Sequence, residues 1–376
     1  MRADAGHAGK LPVAIITGFL GSGKTTVLNH VVKRPGMQAT AVIINEFGEI
    51  GIDHMLVETS TELMVEINNG CVCCTVRGDL ADKLGSLAMW LDAGRVPPVE
   101  RVIVETTGLA DPAPIMHTLM TDPHLLDRYR LDRMVTVVDA INGATSIARF
   151  PEAAKQVAVA DLLIMSKTDL IDSHSDRAAY ANLRTRIRAI NPRAGIRENS
   201  HGAVDPGALF GPPTGDADST VADLLECGQA KAASSAEDEC GSHAHDGVHE
   251  HAHRLQEAGI ASFVIEVQDP VDGERFNNFL QGLASDFGKQ MLRTKGICQI
   301  EGSPDRPAVV QGVQHVFFPV TWLDRWPEGV RHSKLLFITQ HLPREVIEDR
   351  LREHFGDQVV PADSRNAALV WARPEP

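Results

Sequence analysis

The chain has 376 residues, enough for two average domains, and its 43% hydrophobic and 23% charged content is ordinary for a globular protein with a real core. The formal net charge of −14 is diffuse, which argues against a nucleic-acid-binding or anionic-membrane-binding surface. No apolar run is long enough to span a bilayer, and the opening MRADAGHAGK lacks the hydrophobic core of a secretory signal; a cytoplasmic location is therefore expected, where clustered cysteines point to metal or redox chemistry rather than disulfides.

In chain order, VAIIT (13–17), TAVIIN (40–45), RVIVET (101–106), RMVTVVDA (133–140) and DLLIMS (161–166) read as buried strands, since continuous apolar runs of this length fit a parallel sheet covered on both faces. Helix-like stretches lie between them, among them TTVLNHVVK, LADKLGSLAMWLD and DRAAYANLRTRIRAI. Strand–helix alternation predicts an α/β domain over 1–200, a doubly wound and mostly parallel sheet. Residues 201–258 turn rich in Gly, Pro, Ala, Ser, Asp and His and are expected to form a flexible linker or loop. A smaller α+β domain is expected over 259–376. Its predicted elements are a strand at IASFVIEVQD (260–269), a helix within 273–296 ending at Gly296, and strands at ICQIE, PAVVQGVQHVFFPV and KLLFITQH. A last helix, PREVIEDRLREHFG, is opened by Pro343 and closed by Gly356.

GFLGSGKTT (18–26) matches the phosphate-loop pattern G-x-x-x-x-G-K-[ST], with a strand running in and an apolar helix running out. Gly18, Gly21 and Gly23 let the backbone curl so that its N–H groups, with those of Ser22 and Thr26, face phosphate oxygens. The helix N-terminus adds partial positive charge, Lys24 reaches the β- and γ-phosphates, and the Thr25 hydroxyl suits Mg²⁺. RVIVETTGLADP (101–112) delivers Glu105 to the C-terminal end of its strand, the edge where α/β sheets bind ligands, and Glu105 suits Mg²⁺ or the attacking water. SKTD (166–169) follows a strand where guanine-specific proteins carry N-K-x-D. Asp169 can accept from the guanine N1–H and amine and Lys167 can pack its stem over the ring; Ser166 replaces the asparagine and loses its carboxamide, and the motif's placement after the phosphate loop in an α/β series favours GTP over ATP.

GFLGSGKTT, NEFGEIGID (45–53), NGCVCC (69–74), ETTGLADP (105–112) and SKTD, in this order, resemble the CobW-type GTPases, metal chaperones grouped with the hydrogenase- and urease-maturation GTPases. LRTKG and QGVQHVFFP extend the resemblance into the C-terminal domain, and LPV (11–13) is similar to members that deliver zinc. The resemblance implies a P-loop GTPase with a metal site at C-x-C-C between the two nucleotide switches. NEFGEIGID is the expected first switch, coupling nucleotide state to metal affinity.

The thiols agree with this. Cys71, Cys73 and Cys74 are soft ligands suited to Zn²⁺, and three sulfurs leave a tetrahedral ion one ligand short, as suits cargo that must be handed on. Water, Glu46, Glu49 or a client metalloprotein could supply the fourth ligand. His243, His245, His249, His251 and His253 could gather metal weakly near the thiols or could simply be a solvated tract. Cys227, Cys240 and Cys298 lack such spacing. The leading expectation is a GTP-hydrolysing zinc chaperone for an unidentified client, with GTP, Mg²⁺ and Zn²⁺ as ligands and the last domain recognising the client. Cobalt delivery is the second reading, and a metal buffer with only regulatory nucleotide binding is a third of another class. A P-loop small-molecule kinase is disfavoured because C-x-C-C has no role there. Whether the chain forms a homo-oligomer is left open.

Overall fold

The long apolar runs are central strands, and the connections between them are helical. The computed structural model describes residues 10–45, 64–67, 76–199, 204–210, 259–318, 320–327, 331–356 and 359–361, and its contacts divide the chain into two units, 1–215 and 216–376.

The first unit holds β1 (Leu11–Thr17), α1 (Lys24–Val32), β2 (Thr40–Asn45), β3 (Met64–Ile67), α2 (Val76–Asp92), β4 (Arg101–Glu105), α3 (Pro112–Thr121), α4 (Pro123–Leu126), β5 (Tyr129–Asp139), α5 (Gly143–Arg149), α6 (Pro151–Val159), β6 (Leu162–Ser166), α7 (His174–Ile190), β7 (Gly195–Glu198) and α8 (Pro206–Leu209). All pairings are parallel, in the order β3-β2-β4-β1-β5-β6-β7. Ile15, Ile16, Ile103 and Leu163 are fully buried, and each such side chain contributes roughly 1.5–3 kcal/mol over an exposed one. Side chains alternate along each strand. Val135 and Val137 of β5 pack with Val27, Leu28 and Val31 of α1 on one face. Thr136, between them, points the other way and donates to the Gln156 carbonyl of α6 at 2.7 Å. Residues 204–210, which composition assigns to the linker, instead form α8 and its flanks: Asp205 caps the turn at Gly207 N (3.1 Å), and Val204 and Leu209 join the α1-side core.

The second unit holds β8 (Ile260–Val267), α9 (Gly273–Phe287), β9 (Met291–Cys298), β10 (Ala308–Val313), β11 (Val316–Phe317), β12 (Thr321–Trp322), β13 (Ser333–Gln340), α10 (Arg344–Phe355) and β14 (Val359–Pro361). Its sheet is antiparallel, ordered β11-β10-β9-β13-β8-β14, with β12 beside β10. Phe276, Phe279, Leu280 and Leu283, spaced at helical periodicity on α9, meet Ile347, Leu351 and Phe355 of α10 over Ile265, Leu335 and Phe337. The helix expected to reach Gly296 stops at Phe287, and MLRTKGIC is the buried strand β9, paired on both sides. Good helix formers there yield to a position between two strands, where tertiary context outweighs intrinsic propensity. Gly288 marks the change: a Cβ on it would lie 2.4 Å from the His315 Cβ. The strand expected over PAVVQGVQHVFFPV is a hairpin, β10 and β11, turning at Gln314 with φ 52°.

Candidate functional site: the C-terminal edge of the parallel sheet

The loop from β1 to α1 is held by three glycines with positive φ: Gly18 at 145°, Gly21 at 71° and Gly23 at 92°. Gly18 has no alternative, because a Cβ there would lie 2.3 Å from the Val137 carbonyl oxygen. The helix begins with Gly23 as an N-cap that offers no side-chain acceptor, and no acidic residue occupies its first turn. Its leading N–H groups and the positive end of its dipole are left for an anion. Ser22 is buried beneath the loop, and Thr26 is exposed at the first turn of α1. Lys24 is folded across the loop, donating to the Gly18 carbonyl at 2.9 Å and the Phe19 carbonyl at 3.3 Å.

Thr25 and Glu105, 80 positions apart in sequence, are brought together: the Thr25 hydroxyl donates to Glu105 Oε1 at 2.8 Å. β4 lies between β1 and β2, so its last residue is delivered beside the loop and is only 1% exposed. A hydroxyl and a carboxylate are hard oxygen donors of the kind Mg²⁺ takes, so the pair fits that ion. The chain then turns back over the loop. Thr106 donates to the Thr17 hydroxyl at 2.8 Å, and Gly108 presses so closely on Leu20 that a Cβ would lie 2.6 Å from its nitrogen. α6 clamps this turn. Gln156 Nε2 donates to the Gly108 carbonyl at 3.2 Å and the Ala110 carbonyl at 3.0 Å, and Lys155 pairs with Asp111 at 3.2 Å. Asp111 in turn caps α3 through Ala113 N at 3.0 Å. Under the tip of the loop, on the α5–α6 side, lies a cavity of about 240 Å³ walled by Phe19, Leu20, Val138, Ile147, Gln156 and Val157.

At the end of β6, Ser166 is 6% exposed and its hydroxyl donates to the Ser22 carbonyl at 2.6 Å, tying this strand to the phosphate loop. Lys167 takes a left-handed conformation, φ 58°, and its ammonium pairs with Asp139 Oδ2 at 2.7 Å. Asp139 also accepts from Ile141 N at 2.8 Å and from Asn142 N at 3.0 Å and Asn142 Nδ2 at 3.1 Å. Burial pushes the Asp139 carboxyl up, but the hydrogen bonds from Lys167, Asn142 and Ile141 outweigh it and hold the group below the usual carboxylate range. Asp169 is half-buried in the short 3-10 turn that follows, Thr168–Leu170.

Cys71, Cys73, Cys74, Glu46, Glu49 and His243, His245, His249, His251 and His253 lie outside the described residues. Among the described residues no group of three or more His, Cys, Asp or Glu is arranged to hold a metal, and no helix is long and apolar enough to cross a membrane. Cys298 is fully buried, and burial pushes its thiol up, as expected of an inert core cysteine. Sequence reasoning missed Asp139, Gln156 and the Lys155–Asp111 pair. Asp139 carried a signal, an acid ending an apolar strand as Glu105 does; Gln156 on a helix carried none.

Two family models match the chain: "CobW/HypB/UreG, nucleotide-binding domain" over residues 12–198 and "Cobalamin synthesis protein cobW C-terminal domain" over 260–354. Zinc chaperone YjiA of Escherichia coli is 32% identical over 342 residues, covering 90% of this chain and 96% of that protein. Zinc chaperone CobW of Pseudomonas aeruginosa is 30% identical over 379 residues, covering 91% of each. The crystal structure of the Zn(II)-bound YjiA GTPase from E. coli is similar at a TM-score of 0.65 and 27% identity, over 92% of this chain and 99% of that one. With a glycine loop opening into an uncapped helix, Thr25 against Glu105 and a parallel sheet behind them, this chain belongs to the CobW/HypB/UreG family of nucleotide-binding proteins.

Proposed function

We propose that this chain is a GTPase that holds a transition metal, zinc before cobalt, and hands it to a client metalloprotein during its nucleotide cycle. The observation that carries the reading is the approach of Thr25 Oγ1 to Glu105 Oε1, 2.8 Å, beside the uncapped start of α1. Backbone N–H groups from Gly18 through Thr26 and the Lys24 ammonium bind the β- and γ-phosphates, Lys24 leaving its loop carbonyls to do so. Thr25 and Glu105 would hold Mg²⁺, and the ion would supply positive charge against the phosphates. Glu105 also orients the attacking water in this reading. Lys167 and Asp169 receive the base. The clamped turn at Gly108 lies against the phosphate loop, where a γ-phosphate would be sensed.

The metal half of the reading is supported by the relatives' names and by thiolate chemistry. Cys71, Cys73 and Cys74 offer soft ligands in an incomplete set, and the histidine tract, Glu46 and Glu49 are auxiliary ligands. The test is GTP hydrolysis with Mg²⁺ under Zn²⁺ or Co²⁺ titration, for the parent and a Cys71/Cys73/Cys74 triple-alanine variant. Near-stoichiometric Zn²⁺ changes turnover in the parent and not in the variant. If Co²⁺ alone does so, cobalt is the cargo; if turnover is identical with and without metal in both proteins, the chaperone reading fails and only the GTPase stands.

A further inference from the structure

Asn199, the residue after β7, is buried beside the turn that carries Lys167 and Asp169. Its backbone is fixed at both ends: the N–H donates to the Met165 carbonyl at 2.8 Å, and the carbonyl accepts from the Thr168 hydroxyl at 3.0 Å. The register between β6 and β7 pairs Met165 with Glu198, so the next level sets Asn199 beside Ser166. Side chains at one level of a parallel pair share a face. Glu198 points toward α7, accepting from Tyr180 at 3.0 Å and Arg184 at 2.8 Å. Asn199 therefore projects to the opposite face, the one on which the Ser166 hydroxyl reaches the Ser22 carbonyl of the phosphate loop.

The carboxamide placed there is 1% exposed, and among the described residues neither its Oδ1 nor its Nδ2 has a hydrogen-bond partner. Such groups are rare because both desolvated ends go uncompensated, and each asks for an explanation. A ligand that fills the site supplies one. The position is specific: Ser166 stands where guanine-binding proteins carry an asparagine, and a carboxamide is present one strand over on the same face.

We propose that Asn199 is a base-specificity residue, whose Nδ2 donates to O6 of a guanine while Asp169 accepts from N1–H and the 2-amino group. The inference deepens the GTP reading and rests on it. A carboxamide could turn over to an adenine amine, but Asp169 seats no adenine beside it, so Asn199 makes no bond to ADP. Asp169 can only accept, and adenine N1 carries no hydrogen; the two residues together select a 6-oxo purine that is protonated at N1.

The test is the affinity of the full chain for GDP, IDP and ADP, in the parent, Asn199→Leu and Asn199→Asp, with thermal midpoints measured alongside. Asn199→Leu weakens GDP and IDP by about the same factor, on the order of tenfold for one lost hydrogen bond to the base, since both carry O6. ADP binding is unchanged, and the thermal midpoint holds or rises because no bond of the side chain among the described residues is lost. Asn199→Asp loses more GDP affinity than Asn199→Leu, since a carboxylate then faces O6. Equal GDP affinity in parent and variants, or a loss shared by ADP, overturns the role of Asn199 while leaving the GTPase reading intact. A parent that binds neither GDP nor IDP overturns both.

Discussion

Gln156 ties α6 to the carbonyls of the turn after Glu105, beside the Lys155–Asp111 pair, and Gln156→Met isolates what the Gln156 tie is worth. Methionine has similar length and volume, so little cavity is left. It removes the bonds from Nε2 to the Gly108 carbonyl at 3.2 Å and the Ala110 carbonyl at 3.0 Å, both made by a residue only 1% exposed. Two buried hydrogen bonds at about 1 kcal/mol net each set the loss near 2 kcal/mol, and carbonyls left without water raise it further. Against this, Gln156 Oε1 has no partner among the described residues, and its removal returns about 1 kcal/mol. The expected destabilisation is therefore about 1–2 kcal/mol. At about 2–4 °C per kcal/mol for a unit of this size, the thermal midpoint falls roughly 2–8 °C. Function shifts more, because the turn carrying Gly108 rests directly on Leu20 of the phosphate loop. Turnover of GTP falls severalfold, with KM nearly constant. Calorimetry and steady-state phosphate release measure the two effects. Gln156→Glu is the control that keeps the size, loses the donor and sets a carboxylate against two carbonyls, so it costs more on both counts. If Gln156→Met keeps the parent's midpoint and turnover, the clamp has no role.

Gly18→Ala places a Cβ 2.3 Å from the Val137 carbonyl at a φ of 145°, so the loop shifts and binding of fluorescent GDP is lost; retained binding refutes this account of the glycine. Thr25→Ala removes the hydroxyl that donates to Glu105, and the Mg²⁺ concentration needed for half-maximal hydrolysis rises at least about tenfold with little change in midpoint; an unchanged Mg²⁺ requirement excludes Thr25 as a ligand. Asp139 is held below its ordinary value, so its contribution is complete above the unfolded carboxylate range, near pH 4, and is lost as pH falls through the folded value. The stability gap between the parent and Asp139→Asn, measured by urea unfolding, is therefore constant from pH 7 to 5 and closes below pH 4; a gap that widens on acidification reverses the sign. Phe279→Ala, at a side chain 1% exposed among Phe276, His354 and Phe355, costs about 3–5 kcal/mol in the unfolding of the second unit, read from urea denaturation of the full chain.

Local patterns decided a great deal here. VAIIT running into GFLGSGKTT and out into an apolar helix specifies strand, loop and helix by adjacency alone, because the glycines, the lysine and the helix start act on their neighbours. RVIVE ending in a buried acid was legible for the same reason: an apolar run that turns abruptly polar marks the sheet edge. GIRE carries no such run, since β7 is an edge strand with little burial, and the helix expected over QMLRTKG failed because propensity does not register two neighbouring strands. That Thr25 meets Glu105, that Gln156 holds Gly108, that Lys167 pairs with Asp139 and that Asn199 stands beside Ser166 could come only from the tertiary structure. Each pair joins residues dozens of positions apart. They meet because the strand order β2-β4-β1-β5-β6-β7 sets the strand ends at one edge, at the roughly 4.8 Å spacing of a hydrogen-bonded sheet.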